Sequence, residues 1–537
     1  MRYYLLLLFI GFSLCFTSCR EDFEFERSTG GLEFSKDTVY LDTVFTNIGS
    51  STYTLKVYNR SNKDIKIPSI YLGEKENSKY RLMVDGVPGK VFSDVELLAK
   101  DSMFVFIETT IDYSEYTNNE TTFLYNDKIY FGTEAGEQKV ELVTLVQDAI
   151  FIKPNRTLPD NIKEKIYPTG GQGYMIGHTL TTADELHWTN EKPYVVYGYA
   201  HVPDGQTLTI DAGTRVHFHA ESGLLVDSAA TLIINGQVSS TEDMENEVIF
   251  EGDRLEPEFS DTPGQWAGIY LLSSADNKIE HLTVKNAVVG MFMDVLVEGT
   301  RPKLTFNNSQ IYNCTNFGLL ARNAILNGDN LVANNAGQAS VALTQGGTYN
   351  FRQCTFSNYF NSFKQVPIAI NDYADVAEQD PATGEITIVR RISDVEANFD
   401  NCIFYGSSNV GLSLENLYPK NDPNDPNGVD FKTKFNYCLI KIIDTSNQLK
   451  NNPLYPSDAN NPDKALYNQC IIAKNSSTNK ADFLDPRNNM LTIGADSAAN
   501  GTADPIVASA VGTDVVGITR QAPYDMGAYE SVTFTED

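Results

Sequence analysis

The second half of the chain repeats one short pattern: an aromatic residue, a cysteine three positions later, and apolar residues after it. It occurs at Phe351-Arg-Gln-Cys354, Phe399-Asp-Asn-Cys402, Phe435-Asn-Tyr-Cys438 and Tyr467-Asn-Gln-Cys470. The same frame extends backwards, so that the equivalent positions are Leu282, Ser309, Asp329 and the four cysteines. The steps between them are 27, 20, 25, 48, 36 and 32 residues. Self-similarity of this kind indicates a stack of like units.

Each repeat contains short apolar strands separated by turns, without a helical period. One repeat cannot bury its own apolar side, so such units become stable by stacking, with strands about 4.8 Å apart. The two longest steps contain "YADVAEQDPATGEITIVRRISDVE" and "YPKNDPNDPNGVD", which we interpret as insertions near 372–396 and 417–430. We expect both at corners of the stack, where they leave strand pairing intact.

Three stretches outside the cysteine repeats carry a resemblance to known proteins. They are "LTIDAGTRVHF", "PGQWAGIYL" at 263–271 and "YDMGAYE" at 524–530. With the repeats, they resemble the right-handed parallel β-helix (pectin-lyase-like) domains of exported bacterial lipoproteins. The resemblance implies a β-helix over residues 191–530. It implies no single function, because that fold hosts lyases, hydrolases, epimerases, adhesins and inert scaffolds.

Residues 31–150 have a different texture, with apolar and polar residues alternating in short runs between turn clusters. In one run, Tyr53, Leu55 and Val57 share one face, and Thr54 and Lys56 lie on the other. Several such strands predict a β-sandwich. The run from "LEFSKDTVYL" to "KIPSIYL" resembles immunoglobulin-like modules of exported bacterial proteins. Residues 151–190 contain several turn-forming Pro and Gly residues, which predict a linker and a β-helix cap. The predicted fold class is therefore all-β, a sandwich followed by a solenoid.

The N-terminus has the composition of a secretion signal, with Arg2 before an apolar run that is too short to span a bilayer. Phe16-Thr-Ser-Cys19 resembles a bacterial lipobox, so we predict a signal peptide at 1–18 and lipid on Cys19; ordinary signal cleavage is the alternative. An acidic tether at 19–30 begins with Arg20, Glu21 and Asp22. It resembles the surface-export signal of some outer-membrane lipoproteins. We expect a lipid-anchored outer-membrane protein exposed at the cell surface, with an inward-facing lipoprotein as the alternative.

The formal net charge of −29 constrains the partner. Such a surface repels nucleic acid and other polyanions, so no nucleic-acid partner is expected. A polysaccharide or another cell-surface component fits the charge. An acidic polysaccharide would require a local basic patch or bridging calcium. Contact with the membrane is expected through the lipid anchor only.

Five cysteines remain after Cys15 leaves with the signal and Cys19 takes lipid. Four of them share one repeat position, and Ser309 continues the series. Because alternate residues of a strand share a face, Cys402 and Phe404 both point inward, and we expect a structural ladder of buried thiols. Disulfides remain an alternative in an oxidising compartment, although side chains in register on parallel strands point the same way. A metal site is the least favoured alternative, since no Cys-x-x-Cys pair or nearby histidine accompanies the thiols.

Two stretches are candidates for metal binding. His217 and His219 alternate with apolar residues and share the predicted outer face, so they are the candidate zinc or copper ligands. The alternative is a solvated polar face, since no third histidine stands in register. The oxygen-rich "NDPNDPNGVD" at 421–430 is the candidate for calcium, but it lacks the order of an EF-hand loop. A metal-free corner loop is the favoured interpretation, and no other cofactor is expected.

The sequence offers no catalytic cluster, because no pair of carboxylates recurs at the repeat spacing. The charged residues within the repeats are expected at solvated surface: Lys278, Glu280, Lys285, Arg322, Asp329, Arg352 and Asp400. Three aromatic residues are candidate glycan contacts. Trp266 could instead close an early repeat, while Tyr373 and Tyr418 stand in the insertions.

These observations favour a non-catalytic scaffold at the cell surface that binds polysaccharide or a surface partner. The first alternative is a β-helix polysaccharide lyase or glycoside hydrolase. The second is a structural surface protein or adhesin. Charged residues from three adjacent repeats meeting in one groove would favour the enzyme, and scattered charges would count against it.

Overall fold

The computed structural model describes residues 24–116, 120–169, 173–295, 297, 299–361, 365–379, 383, 385–420, 427–456, 466–475 and 477–534. The predicted signal peptide, Cys19, Arg20, Glu21, Asp22 and much of the 421–430 stretch lie outside these residues. The described chain is nearly all β, which confirms the predicted all-β class. Its one α-helix, α1, spans Pro505–Val511. Within the described residues, no helix is long and apolar enough to cross a membrane. The chain divides into two compact units, 1–148 and 149–537.

The first unit consists of two mainly antiparallel sheets, with strand orders β1-β5-β10-β11-β3 (with β8 also on β5) and β2-β4-β9-β6-β7. The strands are β1 (Glu26–Arg27), β2 (Glu33–Phe34), β3 (Thr38–Phe45), β4 (Tyr53–Tyr58), β5 (Ile65–Leu72), β6 (Tyr80–Val84), β7 (Val87–Gly89), β8 (Val91–Leu97), β9 (Ser102–Thr109), β10 (Thr122–Thr133) and β11 (Gly136–Gln147).

Alternation builds the core of this unit. In β4, Leu55 and Val57 are fully buried, whereas Lys56 between them is not. Inward residues of both sheets form a single apolar cluster, which includes Leu55, Ile67 and Phe131. Tyr80 lies inside it, and its hydroxyl donates to the Tyr125 carbonyl at 3.0 Å. The two sheets therefore share one apolar core.

The second unit contains the remaining strands, which follow one another in chain order. They are β12 (Ile150–Ile152), β13 (Arg156–Thr157), β14 (Ile162–Lys163), β15 (Lys165–Ile166), β16 (Met175–Thr179), β17 (His187–Trp188), β18 (Tyr194–Val196), β19 (Tyr199–Val202), β20 (Thr207–Asp211), β21 (Arg215–Phe218), β22 (Gly223–Val226), β23 (Thr231–Asn235), β24 (Val248–Gly252), β25 (Trp266–Leu271), β26 (Asn277–Glu280), β27 (Leu282–Lys285), β28 (Ala287–Met293), β29 (Lys303–Asn307), β30 (Gln310–Cys314), β31 (Phe317–Asp329), β32 (Val332–Ala336), β33 (Ala339–Arg352), β34 (Thr355–Asn358), β35 (Val366–Asn371), β36 (Tyr373–Gln379), β37 (Ile386–Ile392), β38 (Val395–Asp400), β39 (Ile403–Gly406), β40 (Leu412–Glu415), β41 (Phe431–Asn436), β42 (Leu439–Lys441), β43 (Tyr467–Asn468), β44 (Ile471–Ala473), β45 (Phe483–Asp485) and β46 (Met490–Ile493).

Most of these strands pair in parallel, in three ladders. The first ladder is β16-β19-β22-β25-β28-β31-β33-β35-β40. The second is β17-β20-β23-β26-β29-β31-β33-β38-β41-β43. The third is the eleven-stranded sheet β12-β18-β21-β24-β27-β30-β32-β34-β39-β42-β44. Strands β31 and β33 belong to both the first and the second ladder, because each continues across the bend between them.

Two corners join these ladders. The rim corner, where the first ladder passes into the second, comprises residues 294, 322–324, 344–347, 371–379, 383, 385–394, 415–420 and 427–430. The cysteine corner, where the second passes into the third, comprises residues 308–309, 330–331, 353–354, 401–402, 437–438 and 469–470. The described parts of both long insertions lie at the rim corner, where β36 and β37 form an antiparallel hairpin.

The cysteine corner turns through the left-handed region of the backbone. The turning residues Asn308, Asn330, Gln353 and Asn401 have φ of 49°, 52°, 53° and 56°. Asparagine tolerates this conformation better than most residues, which explains its recurrence in the repeats. The residue that follows each turn points inward. In this frame Leu331 is the equivalent of Cys354, since its amide donates to the Cys354 thiol. Asp329 pairs with Arg352, which precedes Cys354 by two residues. The assignment of Asp329 to the cysteine position is therefore wrong.

Candidate functional site

The first ladder has an apolar outer face. Met291 and Met293 of β28 are fully buried in the main core, so Phe292 between them points to the opposite side. Phe292 stands in a column of directly paired residues: Tyr270, Phe292, Leu320, Ala342, Ala369 and Ser413. This column, together with Phe317, is called the aromatic face. The ring centroids of Tyr270 and Phe292 are 5.7 Å apart, and both rings are half-buried.

A line of polar side chains borders the aromatic face at the rim corner. Arg322 pairs with Thr344, and Asn371 pairs with Glu415. Asp294 follows the pair of Met293 and Ala321, so it stands beside Arg322. These five residues, with Gln345 and Asn416, are called the polar rim. The rim brings together charged and amide groups from five consecutive strands of the ladder.

Several rim atoms lack hydrogen-bond partners among the described residues. They are the Arg322 Nε, the Thr344 hydroxyl, the Gln345 amide oxygen and the Asn416 amide oxygen, all of them buried. A buried polar group without a partner costs roughly 1–3 kcal/mol. Native interiors rarely leave such groups unpaired, so a concentration of them at adjacent strand ends indicates a place where water or a ligand supplies the missing bonds.

Asp294 and Arg322 form the most buried ion pair of the rim. The Arg322 Nη1 donates to the Asp294 Oδ2 at 3.1 Å, and the side chains are 24% and 9% exposed, respectively. The guanidinium also lies 4.9 Å from the centroid of the Phe292 ring. Burial raises the pKa of Asp294, and the neighbouring Arg322 offsets only part of that shift. The rim therefore holds a carboxyl group with a weakened tendency to ionise, beside a fixed cation.

The insertions bring two of the predicted glycan contacts to this corner. The Tyr373 hydroxyl donates to the Glu415 carboxylate at 2.8 Å. Arg390 of β37 lies 4.8 Å from the Tyr373 ring centroid, and its guanidinium donates to the Tyr418 hydroxyl at 3.4 Å. Tyr373 and Tyr418, which are 45 residues apart in the chain, are thus joined through Arg390 next to the rim.

Trp266 lies elsewhere. Its indole is fully buried, stacks on Phe218 with centroids 4.2 Å apart, and donates through Nε1 to the Lys285 carbonyl. A sugar cannot stack on a ring without exposed surface, so the proposal of Trp266 as a glycan contact is wrong. The burial leaves the structural role that the sequence also suggested.

The two candidate metal ligands have different neighbours. His217 is buried, with its Nδ1 atom 3.6 Å from the Glu251 carboxylate, whereas the Nδ1 of His219 lies 2.7 Å from the Asp253 carboxylate. Burial lowers the pKa of His217. In the part of the chain that the structure describes, no three His, Cys, Asp or Glu side chains are placed to hold a metal ion.

The repeated cysteines lie one above another at the cysteine corner. Cys354, Cys402 and Cys438 are fully buried, Cys470 is half-buried, and all are free thiols. The Cys402 and Cys438 thiols donate to the carbonyls of Asp400 and Asn436 at 3.3 and 3.2 Å. Burial raises the pKa of the Cys354, Cys402 and Cys438 thiols well above the ordinary value. A buried, protonated thiol is a poor nucleophile, so this column offers packing and hydrogen bonds rather than chemistry.

Sequence reasoning missed the polar rim. Arg322 was expected at solvated surface, and Asp294 was not considered. The one available signal was their separation of 28 residues, which is close to the repeat step of 27. The expectation for Arg352 also needs refinement, because it forms a half-exposed ion pair with Asp329 on the second ladder.

Comparisons with known proteins identify no family. No protein-family model and no curated protein matches the chain. Three similar solved structures are a family 123 glycoside hydrolase from Clostridium perfringens, the periplasmic chaperone SfaE and the VesB protease of Vibrio cholerae, at 9%, 15% and 10% identity. Each comparison covers 22% of this chain, and 30%, 58% and 32% of the other chains, with a TM-score of 0.15. Similarity at this level establishes neither a shared fold nor a shared function.

Proposed function

We propose that this protein binds polysaccharide along the aromatic face and the polar rim, as a scaffold at the bacterial cell surface. The proposed architecture is an immunoglobulin-like sandwich followed by a right-handed parallel β-helix. Support for the helix comes from the three parallel ladders, whose strands alternate in chain order. The lipid anchor on Cys19 and the outer-membrane location rest on the N-terminal sequence alone.

The observation that carries the proposal is the alignment of half-buried aromatic rings with unpartnered polar groups. Sugar rings present apolar C–H faces that pack on aromatic side chains, and hydroxyl groups that both donate and accept hydrogen bonds. Tyr270 and Phe292 supply the first kind of surface. The Arg322 Nε–H donates, the Gln345 amide oxygen accepts, and the Thr344 hydroxyl does both. A sugar unit beside the rim would therefore satisfy groups that protein atoms leave unpaired.

The rim also supports a second candidate, a glycoside hydrolase or polysaccharide lyase. The specific observation is Asp294, whose raised pKa is the property a general acid requires. Arg322 beside it would hold a negatively charged substrate group. Against this candidate, a two-carboxylate hydrolase needs a second carboxylate as base or nucleophile, and the seven described rim residues offer only that of the exposed Glu415.

The test incubates the purified protein with a panel of neutral and acidic polysaccharides, with and without calcium. Retention on the protein and chain length are both measured. We expect one polysaccharide to be retained without shortening. Arg322→Gln should weaken retention at least tenfold, because it removes the unpaired donor and the charge. Lys278→Gln is the matched control, since Lys278 is an exposed cation on the second ladder.

The outcomes separate the candidates. Shortening of any polysaccharide that Asp294→Asn abolishes would replace the scaffold by the enzyme. Retention that Arg322→Gln and Lys278→Gln weaken equally would show a general charge effect and contradict binding at the rim. Absence of both retention and shortening across the panel would overturn the proposal and favour a structural surface protein.

A further inference from the structure

A second concave site lies away from the polar rim, beside the turns that lead from the third ladder into the first. It is a cleft of about 670 Å³, within the size range of small-molecule sites. The residues that line it include Asp261, Asn335, Tyr359, Phe360, Gln365 and Arg487. They come from four separate stretches of the chain, so the cleft exists only in the folded unit.

A column of asparagines builds the cleft. Asn286, Asn313 and Asn335 take the left-handed conformation on successive strands, with φ of 65°, 55° and 53°. The Asn286 amide donates to the carbonyls of Phe259 and Ser260. The Asn335 amide donates to the Arg487 carbonyl at 3.0 Å and the Asn489 side chain at 2.8 Å. Two distant segments, 259–261 and 487–489, are thereby fixed over one column.

These segments place two opposite charges in the same cleft without contact between them. Neither Asp261 nor Arg487 forms an ion pair within 4.0 Å in the described chain. The Asp261 carboxylate accepts hydrogen bonds from the neutral side chains of Asn313 and Ser260 only. The Arg487 guanidinium has no hydrogen bond to a described residue, and its side chain is exposed. An arginine without a carboxylate partner can pair with an anionic group of a ligand.

Two side-chain amides also determine which hydrogen-bonding groups a ligand must carry. Asn335 and Gln365 are 5% and 7% exposed, and their amide oxygens have no hydrogen-bond partner among the described residues. Their nitrogens are already committed, that of Gln365 to the Phe360 carbonyl at 2.7 Å and the Ser407 hydroxyl at 2.9 Å. Rotating either amide would therefore break existing bonds. The vacant positions are acceptors, and a ligand must meet them with N–H or O–H donors.

We propose that this cleft binds a zwitterionic ligand of α-amino-acid chemistry, either a free amino acid or a short peptide. The ligand carboxylate pairs with Arg487, and its ammonium group pairs with Asp261. The N–H groups donate to the amide oxygens of Asn335 and Gln365, and an apolar side chain packs on Tyr359 and Phe360. This site goes beyond the polysaccharide site and shares no residue with the polar rim.

Other ligand classes fit less well. A neutral sugar leaves both charges without partners. A divalent cation finds one carboxylate and is repelled by Arg487. A polyanion meets Asp261 inside the cleft and the negative charge of the whole chain outside it. Only a ligand with both charges complements both walls.

The test is calorimetric titration of the full protein with the dipeptide alanyl-alanine, its C-terminal amide, its N-acetyl form and free alanine. We expect alanyl-alanine to bind, and each blocked form to bind at least tenfold more weakly. Arg487→Gln should reproduce the loss caused by the amide, and Asp261→Asn the loss caused by acetylation. Lys480→Gln is the matched control, because Lys480 is an exposed cation of the same C-terminal region. Free alanine binding as tightly as the dipeptide identifies an amino-acid site, and weaker binding identifies a peptide site.

Two results would overturn the proposal. One is equal binding of the amide, the N-acetyl form and the unmodified dipeptide, since recognition would then ignore the charges. The other is failure of all four probes at millimolar concentration by a protein whose unfolding transition shows that it is folded. Arg322→Gln, which the polysaccharide test uses, should leave dipeptide binding unchanged, so that failure at one site is distinguishable from failure at the other.

Discussion

The cysteine corner and the rim corner belong to the same unit and repeat with the same strands, but they treat polar groups in opposite ways. At the cysteine corner, Asn330 donates to Asn308 and to the Thr513 carbonyl, and Arg520 in turn donates to Asn330. At the rim corner, Arg322, Thr344, Gln345 and Asn416 each keep a buried atom without a partner. One corner is saturated by the chain itself, and the other is not.

The C-terminal segment accounts for much of this difference. Residues of 481–529 pack on the outer side of the third ladder, where Met526 and Ala499 meet Ile403 and Tyr405. The segment also supplies Arg520 and α1 to the cysteine corner. The rim corner receives instead two insertions, whose charges pair mainly with one another, as in Arg390 with Asp375. A corner that is covered by its own chain serves stability, whereas an incompletely covered corner is available for a ligand.

The largest expected contrast compares two arginines. The Arg520 side chain is fully buried, pairs with Glu530 at 2.8 Å, and donates to Asn330 and the Gly527 carbonyl. Arg520→Ala should lower the free energy of unfolding by about 3–5 kcal/mol, because it leaves a half-buried carboxylate and several acceptors unpaired. Arg322→Ala should cost less, about 1–3 kcal/mol, because the Arg322 side chain is 24% exposed, makes one hydrogen bond to Asp294 and has an Nε that is already unsatisfied. Denaturant unfolding measures both, and equal losses would remove the distinction between the corners.

A smaller effect is expected for the turning asparagines. The Asn401 side chain donates to the Asp504 carbonyl at 3.1 Å and accepts from the Asp504 amide at 2.7 Å. Asn401→Ala should cost about 2–3 kcal/mol, from both hydrogen bonds and the left-handed backbone. Asn401→Gly retains the backbone freedom and loses only the bonds, so it should cost less. At the rim, Asn371→Ala should lower the free energy of unfolding by less than about 1 kcal/mol, because the Asn371 side chain accepts one hydrogen bond, from the backbone N–H of Gln345. A loss for Asn371 as large as that for Asn401 would contradict the comparison.

Thiol reactivity tests how well the cysteine corner is sealed. In the folded protein at pH 8, Cys470 should react with a water-soluble disulfide reagent at least about tenfold faster than Cys354, Cys402 and Cys438, because exposure and thiolate fraction control the rate. Cys470 is half-buried, whereas burial raises the pKa of the other three thiols. In denaturant all four should react alike. Cys470→Ser is the control and should remove the fast phase; a fast phase that persists would show that the corner opens.

The smallest effect concerns pH at the rim. Burial raises the folded-state pKa of Asp294 above its unfolded value, which is near 3.8. Its contribution is therefore fully present below the unfolded pKa and is lost as pH rises through the folded pKa. The stability of the wild type relative to Asp294→Asn should decrease from pH 4 to pH 7. Denaturant midpoints at several pH values measure the difference, and an increase over that range would show that the ion pair with Arg322 outweighs burial.

Prediction from the sequence succeeded for the all-β class, and it failed for the polar rim. A column of buried rings shows why the spacing of the aromatic residues was visible in the sequence. The rings of Phe351, Phe399, Phe435 and Tyr467 stack with centroids 5.0–5.4 Å apart, within 10° of parallel. Stacked positions demand similar side chains, so they repeat in the sequence. The incorrect assignment of Asp329 to the cysteine position occurred in a repeat that lacks both the aromatic residue and the cysteine.

The polar rim and the cleft that Asp261 and Arg487 line have no such repeated residues in the sequence. The rim residues come from five strands, and the residue types differ from strand to strand, from Asp294 to Arg322 to Thr344. A binding surface has no reason to place the same residue on every strand. The placement of Asp261 and Arg487 in one cleft is harder still to predict, since 226 residues separate them in the chain.

The sequence by itself determined that this chain is all-β, because the alternation of apolar and polar residues is a local property that burial imposes on each strand. Only the tertiary structure decided which polar groups are left without partners. Whether Arg322 or Arg520 is satisfied depends on where the C-terminal segment and the insertions lie. That placement is set by contacts between residues far apart in the chain, and no local pattern records it.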